Sequence, residues 1–282
     1  MSDLAGYEEE KLDQLLFRPL SHPVAVAAAR IGLSPNGVSV VGMLFGAAGA
    51  YFFQFKEARL VACGVALFCL RNILDYADGQ LARMTGKGSR YGDVFDGLCD
   101  YVAYFSVYAF GVVGIWPEHG VAGVAVAGIA AWSGALHGSY LDFFKREYRF
   151  WALGSDKDRF RTPDELRTDR ADAQGFDRFL LRMSISYATQ QQRLTRARRA
   201  RHEAWFPRRS DPAFRERYSR LNRGPLKVLF LIGPNWQAYF FFAFGLLGRM
   251  DLFFLAQLVA LNVIWAVAAA WQRAVDRRLA HE

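Results

Sequence analysis

Cysteine is scarce in this chain, and the few copies exclude two common ways of stabilising a protein. The 282 residues include three cysteines, Cys63, Cys69 and Cys99, all inside apolar stretches and none at a spacing typical of metal ligands. We therefore expect small core residues rather than a disulfide framework or a zinc site. A cleaved secretory signal is not visible either, because the acidic N-terminus MSDLAGYEEEK has no adjoining apolar segment.

Acidic residues are too few to balance the basic ones in one part of the chain. The net charge is +8, and the stretch from Lys145 to Lys227 alone holds 22 Lys and Arg against 11 Asp and Glu. The remainder is therefore slightly acidic. A basic segment of this kind favours anionic lipid headgroups or phosphorylated substrates as partners. We do not expect nucleic acid, because the rest of the chain indicates a membrane protein.

Long apolar runs are what the sequence has in abundance. Apolar residues make up 52% of the chain, with 24 Phe and 7 Trp. Several runs approach the roughly 20 residues that a helix needs to cross the hydrocarbon core. We predict an all-α membrane protein with six transmembrane helices, over Val38–Phe55, Leu60–Met84, Gly92–Ile115, Val121–Tyr140, Val228–Leu247 and Leu252–Trp271.

The segments outside these helices complete the predicted organisation. Apolar residues at helical spacing in Leu12–Ile31, interrupted by Pro19 and Pro23, indicate an amphipathic helix on the membrane surface. The basic segment is expected to be a largely helical insert between the fourth and fifth helices. The predicted parts are the N-terminal segment 1–35, helices one to four in 36–144, the insert 145–224, helices five and six in 225–273, and the tail 274–282.

The distribution of Lys and Arg predicts the orientation in the membrane. Leaving out the insert, eight fall on the side of the termini and three on the other side, namely Lys56, Arg59 and Arg249. Because positive residues accumulate in cytoplasmic loops, we expect both termini and the insert to face the cytoplasm, as in a bacterial-type inner membrane.

Two pairs of acids lie beside these apolar runs, in the stretch DYADGQLARMTGKGSRYGDVFDGLCD. Asp75 and Asp78 are three residues apart, and Asp96 and Asp100 are four apart, so each pair shares one face of a helix. A lone carboxylate at membrane depth costs about 2.5 to 3.5 kcal/mol, so four unpaired ones would cost on the order of 10 kcal/mol. They must line a wet cavity or hold cations.

The residues around the acids narrow the chemistry. Clustered carboxylates suit Mg²⁺ or Mn²⁺, and two ions would neutralise four acids. Gly79, Ala82 and Gly92 leave room for a bulky group, and Arg83 offers a fork suited to phosphate. Arg71, four residues before Asp75, is placed either to offset its charge or to snorkel toward headgroups. The combination predicts a site for metal ions and a diphosphate.

This stretch resembles the signature of the CDP-alcohol phosphotransferases, matching each of its fixed positions. The matching pattern is Asp75-x2-Asp78-Gly79-x2-Ala82-Arg83-x8-Gly92-x3-Asp96-x3-Asp100. The resemblance implies an integral membrane enzyme that moves a phosphatidyl-type group from a CDP-linked donor, such as CDP-diacylglycerol, to a polar alcohol and releases CMP.

The resemblance also implies roles for individual residues. Asp75, Asp78 and Asp96 would bind two divalent cations, and Asp100 would help to hold a metal and act as general base beside Asp96. The expected nucleotide contacts are Asn36, Asp78, Gly79, Ala82, Arg83 and Gly92. Asn36 follows Pro35 at the mouth of the first helix, where a plain helix cap is the alternative. From the family resemblance we also expect a homodimer.

Several alternatives stay open on the sequence alone. An intramembrane Mg²⁺-dependent prenyltransferase also places acids at helix ends, and a cation transporter would explain the carboxylates but leave Arg83 without a task. The acceptor alcohol is not assigned. A phosphorylated acceptor would need further cations, for which Arg149, Arg223 and Lys227 are candidates, with snorkelling to the interface as their alternative role.

Overall fold

The computed structural model describes residues 17–169 and 172–280, and over these residues the chain is helical and has no β-strand. The predicted all-α fold is thus confirmed. Leu12, Leu15 and Leu16 of the predicted amphipathic segment lie outside the described residues. In chain order the helices are α1 Arg18–Arg30, α2 Pro35–Tyr51, α3 Ala58–Thr85, α4 Gly92–Tyr148, α5 Pro163–Asp169, α6 Gly175–Leu194, α7 Arg196–Arg199, α8 His202–Trp205, α9 Pro212–Phe230, α10 Pro234–Leu246, α11 Met250–Leu258 and α12 Ala260–Ala280.

Five helical stretches among the described residues are long and apolar enough to cross a membrane. They are Pro35–Gln54, Ala58–Thr85, Gly92–Leu153, Pro212–Leu246 and Met250–Ala280. The third stretch exceeds what one crossing needs. Its helix α4 continues well past Ile115, where we expected an end, but contains a break at Gly120, whose φ of 50° and ψ of −139° are not helical. This conformation is accessible to glycine because it has no Cβ.

Two predicted spans turn out to be pairs of helices rather than single ones. The fifth breaks between α9 and α10, where Gly233 precedes Pro234, which has no N–H to continue a helix. The sixth breaks between α11 and α12 at Val259. There the side-chain amide of Asn262 donates to the backbone oxygen of Leu258 at 2.8 Å, so a side chain takes the place of a backbone donor.

Helix α1 is continuous through Pro23, contrary to the predicted interruption. Pro19 lies in the first turn, where the N–H groups have no helical partner, so only Pro23 removes a backbone hydrogen bond. The helix packs on α3 and α2 through small residues. Its Ala25 and Ala28 belong to one apolar cluster with Val38, Leu74 and Ala77.

The described chain divides into two compact units. The first contains the chain up to Ala131 together with Phe240–Phe254, and the second contains Trp132–Tyr239 together with the chain from Leu255 onward.

In the first unit, α2 and α3 approach closely where glycines face each other. A Cβ on Gly49 would lie 2.7 Å from the backbone oxygen of Gly64, and a Cβ on Gly64 would lie 2.6 Å from that of Gly49. Both distances are too short for any side chain. One turn earlier on α2, a Cβ on Gly46 would lie 2.6 Å from the Cβ of Ala103 on α4. Small residues therefore let α2 pack directly against the two helices that carry the acids.

The second unit is centred on a buried arginine of the insert. Arg198 on α7 forms ion pairs with Glu147 on α4 and Asp276 on α12, and all three side chains are 4% exposed. It also donates to the Tyr218 hydroxyl at 2.6 Å and to Asn222 at 3.1 Å, both on α9. Burial lowers the pKa of Arg198, but the Glu147 carboxylate outweighs this and the pKa is raised. The insert is thus tied to helices on both sides of it in the chain.

The cysteines differ from expectation in one respect. All three are free, and Cys99 is buried as predicted, but Cys63 is exposed on α3 and Cys69 is intermediate. The prediction of a core position was wrong for Cys63. An apolar sequence does not distinguish a side chain facing other helices from one facing lipid, since both surroundings are apolar.

Candidate metal centre

Acids from α3 and α4 meet in the first unit. Asp75, Asp96 and Asp100 each offer a carboxylate oxygen, and these three oxygens lie within 4.8 Å of one another. Asp75 lies in the C-terminal half of α3, and the other two lie in the first turns of α4. All three side chains are partly exposed, so the cluster opens to the outside of the unit.

The fourth acid, Asp78, lies deeper in the same site. It is 7% exposed, its carboxylate accepts a hydrogen bond from the Ser39 hydroxyl of α2, and its side chain is within hydrogen-bonding distance of Asp96. The Ser39 hydroxyl also lies 3.2 Å from the backbone oxygen of Pro35, a second acceptor that shares its one hydrogen. All four acids of the motif are therefore brought together by three helices.

The arrangement fits divalent cations. Oxygens that coordinate one Mg²⁺ sit about 2.0 to 2.1 Å from the ion, so they lie within roughly 4.2 Å of each other, close to the spacing of these carboxylates. Asp78 and Asp96 are adjacent, which is unfavourable for two negative charges unless a cation or a shared proton lies between them. The cavity between the helices is lined by Ser39, Gly42, Met43, Arg71, Asp75, Asp96, Cys99 and Asp100.

Arg71 provides positive charge inside this cavity. Its guanidinium lies 3.5 Å from a carboxylate oxygen of Asp75 and forms an ion pair with Asp100. The residue is 5% exposed, so it does not snorkel to the interface. The sequence allowed for the contact with Asp75, one turn away on the same helix, but not for the contact with Asp100 on another helix.

The residues predicted to contact the nucleotide lie around the ends of the same helices. The side chain of Asn36, in the first turn of α2, accepts a hydrogen bond from Ser89 at 3.3 Å. A Cβ on Gly92 would lie 3.8 Å from the same Asn36 oxygen, and a Cβ on Gly79 would lie 3.5 Å from the Arg83 guanidinium. Arg83 is exposed and Ala82 is half-buried. Their roles toward a nucleotide stay predictions.

One residue of the site, Ser39, was missed in the sequence, and a second, Arg71, was recognised only in part. Ser39 lies one turn beyond Asn36 on α2. Predicting its role would have required knowing which face of α2 packs against α3. Arg71 was noticed only for its spacing to Asp75. A polar residue among apolar ones, such as Ser39 in VSVVGM, was the available signal.

The predicted acceptor residues belong to the second unit. Arg149 donates to Asp158 at 2.9 Å, and Arg223 and Lys227 lie on α9. Burial raises the pKa of Asp158, but hydrogen bonds from Ser155 and Arg149 outweigh it and hold the pKa below its usual value. Arg149 therefore already has a carboxylate partner, which makes it a weaker choice for binding a phosphorylated acceptor than the sequence indicated.

The signature and its geometry agree with a comparison against known protein families. Residues 32–139, which include α2, α3 and the four acids, match the family model described as CDP-alcohol phosphatidyltransferase. This match covers less than half of the 282-residue chain.

Several curated proteins are similar to part of this chain. The chain is 35% identical over 98 residues to a phosphatidylinositol phosphate synthase of Mycobacterium marinum, covering 34% of this chain and 41% of the relative. It is 38% identical over 91 residues to one of Mycolicibacterium smegmatis, covering 32% and 40%. It is 28% identical over 121 residues to an archaetidylinositol phosphate synthase of Pyrococcus horikoshii, covering 42% and 56%.

The similarity to these relatives is partial. The chain spans less than half of the length of the mycobacterial relatives and 56% of the archaeal one. No solved structure matches the chain significantly.

We predict that Asp96→Asn weakens divalent-ion binding by the protein, because it removes a charged ligand from the cluster and leaves Asp78 beside an amide. The measurement is the rise in Tm of the detergent-purified protein as Mn²⁺ is titrated. We expect the rise seen for the native protein to be lost or to need at least about tenfold more Mn²⁺.

Asp93→Asn is the matched control, since Asp93 lies one turn before Asp96 on α4 but is exposed and is not part of the cluster. It should respond to Mn²⁺ as the native protein does. Equal responses of Asp96→Asn and the native protein would argue against the carboxylates as ligands.

Proposed function

We propose that this protein transfers a phosphatidyl-type group from a CDP-linked lipid donor, such as CDP-diacylglycerol, to a polar alcohol and releases CMP. The observation that carries the proposal is the meeting of the four motif acids, Asp75, Asp78, Asp96 and Asp100, between α3 and α4. The matched family and the names of its relatives support the same reaction class.

The residues present would hold two divalent ions, Mg²⁺ or Mn²⁺. When bound, such ions supply positive charge that neutralises the donor diphosphate and the departing CMP. Asp75 and Asp78 of α3 and Asp96 of α4 would be the ligands of these ions. Ser39 fixes the Asp78 carboxylate by its hydrogen bond, so that the deeper acid cannot rotate away from Asp96.

Asp100 is proposed as the general base. One turn along α4 from Asp96 and partly exposed, it can take the proton of the acceptor hydroxyl at a carboxylate oxygen once that oxygen is free of Arg71. Arg83, exposed beside Gly79, is placed to donate to phosphate oxygens. Gly79, Ala82 and Gly92 leave space for the nucleotide next to Asn36.

The acceptor is proposed to be inositol phosphate. The relatives are named for phosphatidylinositol phosphate and archaetidylinositol phosphate, both products that carry a phosphorylated inositol. A phosphorylated acceptor requires cations beyond those that hold the donor. Arg223 and Lys227 on α9 are proposed for this, together with Arg149, whose guanidinium also donates to Asp158.

Three chain reversals at one end of the first unit support a six-span arrangement. Lys56, in the turn after α2, forms an ion pair with Glu118 just before the break at Gly120. His119 lies 3.9 Å from Asp251 at the start of α11. The break in α4 therefore lies beside two surface turns, which is where a chain that has crossed the membrane would turn back.

The acids lie about one membrane thickness from these reversals. Asp75 is 17 residues from the start of α3 and Glu118 is 18 residues from Asp100, which at 1.5 Å per residue gives about 26 and 27 Å. The hydrocarbon core is about 30 Å thick. We therefore propose that the acids and the reversals face opposite sides, with the acids on the cytoplasmic side that the charge bias predicts.

The basic insert is proposed to rest on anionic headgroups. The first turns of α6 expose Phe176 and Phe179, whose rings stack at 5.9 Å, next to the exposed Arg178 and Arg182. Aromatic and basic side chains together suit the interface of an anionic bilayer. The homodimer expected from the family stays a prediction.

The two-sided arrangement predicts opposite labelling of two cysteines in a protein whose native cysteines are replaced by alanine. Glu118→Cys should react with a membrane-impermeant maleimide in intact cells, because it lies at the reversals. Lys87→Cys, in the exposed turn between α3 and α4, should react only after the cells are opened. Labelling of both positions from the same side would contradict six spans.

Asp100→Asn is predicted to lower CMP release by at least about a hundredfold, since it removes the base while its side chain keeps its shape. The purified protein is given CDP-diacylglycerol and one alcohol at a time from inositol phosphate, inositol, glycerol 3-phosphate, serine and choline. Lipid products are identified by mass, and inositol phosphate should give the most. EDTA should stop the reaction.

The matched control is again Asp93→Asn, which should keep native turnover. CMP release by Asp100→Asn at the native rate would refute its role as base. Turnover that persists in excess EDTA would remove the ions from the mechanism, and a preferred acceptor without phosphate would correct the proposed acceptor alone.

A further inference from the structure

Arg71 lies inside the acidic cavity rather than at its rim. It is 5% exposed and lines the same space as Asp75, Asp96 and Asp100. A buried positive charge in an apolar helix is costly unless it is paired. Its partners therefore indicate what the charge is for.

The partners of Arg71 are two of the acids proposed to hold metal. One guanidinium nitrogen, Nη2, lies 3.5 Å from Asp75 on its own helix and forms an ion pair with Asp100 on α4. These are also two of the three acids whose oxygens cluster within 4.8 Å. Arg71 thus already engages oxygens that a divalent ion would need.

The remaining sides of the guanidinium are held by other groups. Nη1 donates to the Asn72 side chain at 2.8 Å, and the guanidinium carbon lies 5.7 Å from the ring centre of Phe68 and 5.4 Å from that of Tyr104. A Cβ on Gly46 would lie 3.2 Å from the Arg71 side chain, so α2 leaves just enough room for it. Arg71 is therefore fixed in place by α2, α3 and α4.

We propose that Arg71 is a built-in counterion that holds Asp75 and Asp100 in the metal-free protein and gives up Asp100 when a divalent ion binds. This rests on the proposed function, because it assumes that the acids are metal ligands. It makes Arg71 a positioning residue, which acts on the reaction through Asp100 and touches neither substrate nor reacting atoms.

Charge balance explains why such a residue would be useful. Without an ion, four carboxylates face one another and Arg71 supplies the positive charge that keeps α3 and α4 together. With two divalent ions, the acids are neutralised, and Arg71 adds a positive charge that suits a diphosphate. Because the ion and Arg71 compete for the same oxygens, Arg71 lowers the affinity of the site for the ion. Asp100 stays paired with Arg71 until a divalent ion binds.

The test compares Mn²⁺ binding and thermal stability of the purified protein with those of Arg71→Met. The metal-free Arg71→Met protein should melt at least about 4 °C lower, since Asp75 and Asp100 lose their partner. It should bind Mn²⁺ roughly tenfold more tightly by calorimetry, because the competitor is gone. A residue that served packing alone would give the opposite change in affinity, since a looser site binds more weakly.

Arg59→Met is the matched control, as Arg59 is an exposed arginine in the first turn of the same helix and its loss removes the same charge. It should leave both quantities unchanged. If Arg71→Met does not fold, Arg71→Lys takes its place, because lysine keeps the charge but cannot form the same fork, and its Mn²⁺ affinity should exceed that of the native protein.

The outcomes separate this inference from the proposed function. Unchanged or weaker Mn²⁺ binding by Arg71→Met, or by Arg71→Lys if only that variant folds, overturns the counterion while leaving the metal site intact. Absence of Mn²⁺ binding by the native protein overturns the metal site itself, and the counterion with it.

Discussion

The need to balance four carboxylates between two membrane helices governs the rest of this structure. Asp75 and Asp78 on α3 face Asp96 and Asp100 on α4, and two of the four are close enough to share a hydrogen bond. Coulomb repulsion at such distances amounts to several kcal/mol per pair in a partly buried site, and desolvation adds to it. Such an arrangement favours cations, which would neutralise the acids. The family match and the clustered acids both indicate a site that binds divalent cations.

The scaffold around the acids serves to hold two helices at a fixed separation. The glycine contact between α2 and α3, and the contact of Gly46 with Ala103 on α4, bring three backbones close on the side of the site that α2 covers. Ser39 then reaches Asp78, and Arg71 reaches Asp100, across gaps that larger residues would have widened. Precise spacing of ligands thus comes from small residues on α2 rather than from the acids themselves.

Much of this site could be predicted because it depends on local spacing. The run Leu60–Leu74 is too short to span alone, which required α3 to continue through both of its acids, and it does so to Thr85. Helix α4 begins at Gly92, as the polar turn before it indicated. Contacts that depend on how helices rotate against each other, such as those of Ser39 with Asp78 and Arg71 with Asp100, left no periodic signal in the sequence.

Other differences arise because hydropathy does not report on backbone continuity. The fifth and sixth predicted spans are mostly apolar, yet the first of them breaks before Pro234, which has no N–H to donate, and the second breaks at Val259. Near Val259 the Asn262 side chain donates to the Leu258 oxygen in place of a backbone group. The insert was predicted to be a largely helical segment whose basic charge favours anionic headgroups or phosphorylated substrates. Its arginine Arg198 instead is buried between Glu147 and Asp276, which lie far apart in the sequence and could not be paired from it.

The central claim is that these carboxylates exist to bind divalent ions, and anomalous diffraction from crystals grown with Mn²⁺ tests it most directly. The account predicts anomalous density between α3 and α4, within coordination distance of oxygens from Asp75, Asp96 and Asp100, with Asp100 no longer paired to Arg71. Manganese bound elsewhere, with the acids still gathered around Arg71, would contradict it.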